Sequence, residues 1–167
     1  MQPIGDLEAL YHQHASAVFR FAFGLSRNRA DAEDIVSETF ARVATRANKI
    51  AHITARAYLL AVARNTFLDT QRRHAREARV TREMAPELQN PESLQDDRAR
   101  LATALKALGA IPEGERAAFL LRVDNDLSYG EIALTLGISV VAAKVRVHRA
   151  RVRLANAART GEQDDEV

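Results

Sequence analysis

The stretch LSYGEIALTLGIS, Leu127 to Ser139, runs directly into VVAAKVRVHRARVRL, Val140 to Leu154. The first reads as a helix that ends at Gly137. The second reads as a helix with Lys144, Arg146, Arg149, Arg151 and Arg153 crowded within ten positions. Two helices about a tight glycine-containing turn, the second of them basic, form the pattern of a DNA-binding helix-turn-helix. This pairing fixes the C-terminal third as helical and points to nucleic acid as the partner.

The rest of the chain is compatible with helices throughout. Of 167 residues, 47% are hydrophobic, enough for packed cores, yet only 5% are aromatic and Trp is absent. Ala and Leu dominate and β-branched runs are short, which favours an all-α fold. There is no Cys, so disulfides and thiolate metal sites are excluded, as suits a reducing compartment. The start, MQPIGD, lacks the basic and apolar parts of a signal peptide. The longest apolar run, 57–63, is far shorter than the roughly 20 residues of a membrane helix. The expectation is a cytoplasmic protein without membrane insertion.

The net charge of +2 conceals segregation. Residues 1–80 carry 12 Lys and Arg against 8 Asp and Glu; residues 81–100 carry 3 against 5. Residues 101–160 carry 9 against 5, and the tail from 161 carries 4 acidic groups and no basic one. Basic blocks attract the phosphate backbone by counterion release, whatever the base sequence. The stretch APELQNPESLQDD, Ala85 to Asp97, holds Pro86 and Pro91 and no apolar periodicity, so it reads as a linker. The expected organisation is two small helical domains, 5–80 and 99–158, joined by a flexible acidic linker over 81–98. The second is the helix-turn-helix domain, and an acidic tail, 159–167, follows it. Each domain is near the lower size limit for folding alone.

Three amphipathic stretches build the N-terminal half. Leu7, Leu10, Tyr11, Val18, Phe21, Ala22 and Leu25 share one side of the first. In DAEDIVSETFARV, Val36, Phe40 and Val43 form the apolar side, while Asp31, Asp34 and Glu38 line another. In AYLLAVARNTFLDTQRR, Leu59, Val62, Ala63, Thr66 and Phe67 are buried. Asn65, Asp69, Arg72 and Arg76 face away from them, in a stripe that ends in a basic cluster completed by Arg73 and Arg79. Amide and guanidinium groups on one helix face can bond base edges and phosphates. Glu33, Asp34 and Glu38 do not make a catalytic set: a di-iron bundle needs Glu-x-x-His pairs, and none occurs. His12 and His14, two residues apart, diverge on a helix. With no Gly-rich phosphate loop and no G-x-S-x-G elbow, no catalytic residue, metal or cofactor is expected.

Taken in order, DAEDIVSETFARV, AYLLAVARNTFLDTQRR, an irregular spacer, ALGAIPEGERAAFLLRVDNDLSYGEIALTLGIS and KVRVHRARVRL resemble the extracytoplasmic-function branch of bacterial RNA polymerase sigma factors. The resemblance covers roughly residues 5–157. It implies sigma regions 2 and 4 without the middle domain of larger sigma factors, and a non-enzymatic subunit that directs core polymerase to promoters and helps open the DNA. It further implies that Asp34, Ser37 and Glu38 dock on the clamp helices of the β′ subunit and that the β flap is a second polymerase contact. By the same resemblance, Asn48, Lys49 and His52 belong to the base pocket for the −10 element, and Arg64, Asn65, Asp69, Arg72 and Arg73 face the melted strand. Tyr58 stands where the family usually has Trp, and reads better as a core residue than as a stacking platform. The family also implies an anti-sigma factor as a partner, and a path for the acidic linker through the RNA channel, which a merely solvated spacer would match equally well. The alternative from another class is a stand-alone helix-turn-helix regulator, which binds duplex DNA without polymerase, usually as a dimer.

The recognition helix departs from the family pattern. At about 100° per residue, Ala143, Val147, Ala150 and Leu154 form the core stripe, and Val141, Val145, His148 and Val152 lie opposite. Arg146, Arg149 and Arg153 flank that outer stripe on one side, Lys144 and Arg151 on the other. The expected −35 contacts are therefore Lys144, Val145, Arg146, His148, Arg149 and Arg153. Valines cannot hydrogen-bond bases but can pack on thymine methyl groups; the same stripe would also suit a protein partner. The tail from Gly161 is open to two readings, solvated disorder or a regulatory segment that repels DNA.

Overall fold

A computed structural model describes residues 7–46, 54–80 and 95–164. All regular structure among the described residues is α-helical: α1 (Leu7–Ser26), α2 (Arg29–Thr45), α3 (Ala55–Val80), α4 (Gln95–Gly109), α5 (Glu113–Val123), α6 (Tyr129–Leu136) and α7 (Val140–Asp164). Helices α1 to α3 pack as a three-helix unit, α5 to α7 pack as a second, and α4 lies against both α1 and α7. The expected linker, apart from the first residues of α4, lies outside the described residues.

Local chemistry sets the helix ends. Asn28 caps α2, its side-chain oxygen accepting from the Asp31 amide at 3.0 Å. Ser128 and Glu131 form a reciprocal capping box on α6, the pattern that satisfies two orphan amides at once. Gly137 ends α6 at φ 66°, ψ 39°, and Ser139 then accepts from the Ala142 amide at 3.0 Å to start α7. Pro112 precedes α5, where its missing amide costs nothing.

Packing contributes more than caps. Phe21, Leu25, Ile35, Leu59 and Leu60 are fully buried, each contributing roughly 1.5–3 kcal/mol, against about 1 kcal/mol for a good cap. The apolar sides expected for α2 and α3 are the buried ones: Val36, Phe40 and Val43, and Leu59, Val62, Ala63, Thr66 and Phe67. In α1, Val18, Phe21, Ala22 and Leu25 are buried, whereas Leu7 and Tyr11 near its start are exposed. The Tyr11 ring nonetheless meets Phe40 edge-on, with centroids 5.0 Å apart.

The buried residues of the two halves merge into one cluster, running from Val18, Leu25 and Leu60 to Leu120, Leu121 and Ile132. Gly24 makes this possible, since a Cβ there would stand 2.7 Å from the Leu120 side chain. Two helices outrun their units. All side chains from Gln71 to Arg79 on α3 are exposed. Helix α7 continues to Asp164, into the stretch expected to be a tail. Gly161 does not stop it, since its cost of about 1 kcal/mol relative to Ala is small beside the length of the helix.

Candidate nucleic-acid interface

Helix α7 presents two opposed faces. Ala143, Val147 and Ala150 are completely buried against α5 and α6. Val141, 71% exposed, Val145, 39% exposed, and Val152 look outward, in company with exposed Lys144, His148, Arg149 and Arg151. The cations flanking this stripe are not equivalent. Arg146 is half-buried and lies over Gly114, where a Cβ would come within 2.8 Å of its guanidinium. Arg153 leans the same way and pairs with Glu115 at 2.9 Å. Lys144 sits 5.8 Å from the Tyr129 ring, whose face also carries Arg122 at 4.6 Å. Of the six expected −35 contacts, Lys144, Val145, His148 and Arg149 therefore project outward, and Arg146 and Arg153 brace α7 on α5.

A groove between α2 and α3 is lined by Asp34, Ser37 and Glu38 on one wall and by Asp69, Arg73 and Arg76 on the other. Arg42 bridges the walls, donating to Glu38 at 2.9 Å and to Asp69 at 3.0 Å. The hydrogen bond to Glu38, and after it that to Asp69, outweighs desolvation and raises the Arg42 pKa above its ordinary value. Asp69 also receives Arg72 at 3.3 Å, so it works as an ion-pair hub. The Ser37 hydroxyl donates back to the Glu33 carbonyl at 3.2 Å, leaving exposed Asp34 and Glu38 as the acidic groups of this wall.

Of the expected −10 residues, Asn65, Arg72 and Arg73 are exposed on α3. Asn48, Lys49 and His52 lie outside the described residues. Tyr58 packs against the core as a partly buried residue. Arg64 is the departure: it donates from Nε and Nη2 to the two carboxylate oxygens of Glu113, both at 2.8 Å. Sequence reading missed Glu113 because it looks like an ordinary first-turn acid of α5 and stands 49 positions from its partner. It missed Arg116 as well. This side chain is buried and donates to the Leu108 and Ile111 carbonyls, both at 3.2 Å, closing the end of α4. Burial and the nearby Arg27 lower the Arg116 pKa from its ordinary value, with Glu113 opposing them.

Among the described residues no cluster of three or more potential ligands could hold a metal ion. No helix among them is long and apolar enough to cross a membrane. A groove flanked by acids and arginines, beside a helix-turn-helix with one cationic face, defines a two-region DNA-binding factor. Residues 10–77 match the sigma-70 region 2 family and residues 101–154 the sigma-70 region 4 family. The chain is 36% identical over 155 residues to the ECF RNA polymerase sigma factor SigE of Mycolicibacterium smegmatis, spanning 88% of this chain and 59% of that protein. It is 35% identical over 152 residues to SigL of Mycobacterium tuberculosis, another ECF RNA polymerase sigma factor, with 86% and 84% covered. Its fold is similar to that of the sigma factor RpoE of Bartonella quintana, solved in complex with the anti-sigma factor NepR. The TM-score is 0.75 at 25% identity, over 93% of this chain and 98% of that one. The chain belongs to the extracytoplasmic-function sigma factors of RNA polymerase.

Proposed function

We propose that this chain binds RNA polymerase core, directs it to specific promoters and helps open the DNA, acting in the cytoplasm by binding alone and with no reaction of its own. The observation that carries the reading is the asymmetry of α7: a fully buried stripe locks it to α5 and α6, and the opposite face offers valines edged by exposed cations. Residues 5–80 serve as region 2 and 99–158 as region 4. Asp34 and Glu38 dock on the β′ clamp helices, region 4 meets the β flap, and the acidic segment 81–98 links the two.

Helix α3, with Asn65, Arg72 and Arg73, and the preceding Asn48, Lys49 and His52 hold the −10 strand. Melting costs about 1.4 kcal/mol of stacking per base-pair step, which capture of exposed bases and phosphates offsets. On the −35 side, Lys144 and Arg149 anchor phosphates while Val141 and Val145 pack on thymine methyl groups, an apolar form of direct readout. Because RpoE of Bartonella quintana forms a complex with an anti-sigma factor, an anti-sigma factor is proposed as a partner here too.

The test is in vitro transcription from a randomised promoter library, with polymerase core from the same or a closely related bacterium, with and without the chain. Transcripts appearing only with the chain are expected, and their upstream sequences give both promoter elements. Absence of core-dependent initiation, with tight binding of the chain alone to a two-fold duplex site, would instead establish a stand-alone regulator.

A further inference from the structure

The first two turns of α7 carry side chains of almost one kind. From Val140 to Val147 the sequence is VVAAKVRV, in which only Lys144 and Arg146 have a polar group. Ala143 and Val147 are buried and Ala142 is half-buried, so Val140, Val141 and Val145 are the apolar side chains left at the surface. The two cations lean toward different neighbours. Lys144 lies 5.8 Å from the Tyr129 ring, and Arg146 lies over Gly114 of α5. Just before the helix, the Ser139 side chain turns back to cap the Ala142 amide at 3.0 Å. His148 and Arg149 come only in the third turn.

An exposed apolar surface of this kind matches one feature of the major groove. There the C5 methyl of a pyrimidine is the apolar group, and the remaining edge groups donate or accept hydrogen bonds. The N-terminal turns of a recognition helix are the part that meets base edges. Exposed Lys144, Arg149 and Arg151 beside the valines supply the charge complementarity that holds such a helix against phosphates. Thymine and 5-methylcytosine carry the same methyl and differ at C4, where one has an oxygen acceptor and the other an amino donor. Valine can sense neither group, and Lys and Arg have no acceptor with which to select the amino group. Residues one helical turn apart have Cβ atoms about 5–6 Å apart, a span of one to two base steps of about 3.4 Å each.

We infer that Val141 and Val145 read the pyrimidine C5 methyl itself, so that 5-methylcytosine stands in for thymine and the −35 element is bound more tightly when its cytosine is methylated. The inference rests on the promoter-binding reading for the groove that α7 enters, and goes beyond it in naming the group that is read. A methyl shielded from water by valine contributes about fourfold in affinity, equivalent to about 0.8 kcal/mol. The spacing of the two valines confines the methyls they reach to about three consecutive base pairs.

The test is a selection for binding by polymerase core carrying the full-length chain. A randomised −35 window, joined to a −10 element of ordinary bases, is made in three ways: with thymine and cytosine, with uracil and cytosine, and with uracil and 5-methylcytosine. The first selection is expected to enrich thymine at one or two positions within about three base pairs. Uracil is expected to lose that preference, and 5-methylcytosine to take the same positions in the third selection. Duplexes that differ by one such methyl should differ about fourfold in affinity. A first selection without thymine preference, uracil enriched where thymine was, or 5-methylcytosine not enriched there overturns the inference and leaves the promoter-binding reading standing. No enrichment in any of the three overturns both. The variant V141A/V145A alters two exposed positions to the best helix former, and is expected to flatten the preference for thymine and for 5-methylcytosine alike. Preferences unchanged in that variant overturn the role of the valines and leave their stripe to a protein partner.

Discussion

Gly137 stands at φ 66°, and a Cβ added there meets nothing within 4 Å. A substitution would therefore be penalised by backbone conformation alone. Gly137→Val is expected to cost about 1–2 kcal/mol, the penalty of an L-residue in the left-handed region, read as a lower urea midpoint at unchanged slope. His14 gives a pH dependence of definite sign. Burial, and after it the charge of Arg56, lowers its pKa below the ordinary 6.5. The unfolded chain thus takes up this proton before the folded one does. Stability is complete above the ordinary His range and falls as pH drops through it toward the lowered value. Denaturation at pH 8 and pH 5 should show that His14→Gln loses less stability over the interval than the parent. Gly137 was legible in the sequence because its role is local. Glu113 was not: nothing in PEGER distinguishes a dipole-complementing acid from the partner of an arginine on another helix, since that depends on how the halves dock.

Helices α6 and α7 were legible as elements because Gly137 marks the turn between them; the caps at Pro112, Ser128 with Glu131, and Ser139 went unread and emerge only in the structure. The faces of α7 were legible too, since a 3.6-residue period sorts Ala143, Val147 and Ala150 from Val141 and Val145. What periodicity could not settle was which flanking cations lean inward, because Arg146 and Arg153 are drawn to Gly114 and Glu115 of α5. Lys144→Ala and Arg149→Ala are each expected to weaken promoter binding by the polymerase complex at all sequences and to lower the salt slope by about 0.9. Arg153→Ala should lower the slope much less; anisotropy titrations on promoter fragments at several salt concentrations decide. For α2, Asp34→Arg places a cation on the acidic wall of the groove and should weaken core binding on the order of tenfold, about 1.4 kcal/mol. Competition for core against labelled parent chain measures it, and unchanged competition would remove Asp34 from the polymerase surface.

At the scale of the whole chain, sequence punctuation suggests two bodies where the buried side chains form one cluster. Pro86, Pro91 and the charge change between them mark a break in helical periodicity, but they carry no information on whether the flanking units stick together. That is decided by the outer faces of α1, α3 and α5 and the turn after α5, where Gly24, Arg56 and Leu120 look like unremarkable members of amphipathic helices, and Asn125 like an ordinary turn residue, until the halves meet. Each half is small enough that its own core leaves it marginal, so the shared cluster should couple their unfolding. Leu121 of α5 is fully buried within that cluster, and Leu121→Ala should destabilise by about 2–5 kcal/mol. In a coupled molecule this loss spreads: native-state hydrogen exchange should show reduced protection in α1 to α3 as well as in α5 to α7. Loss confined to α5 to α7 would mean that the halves unfold independently despite the shared cluster.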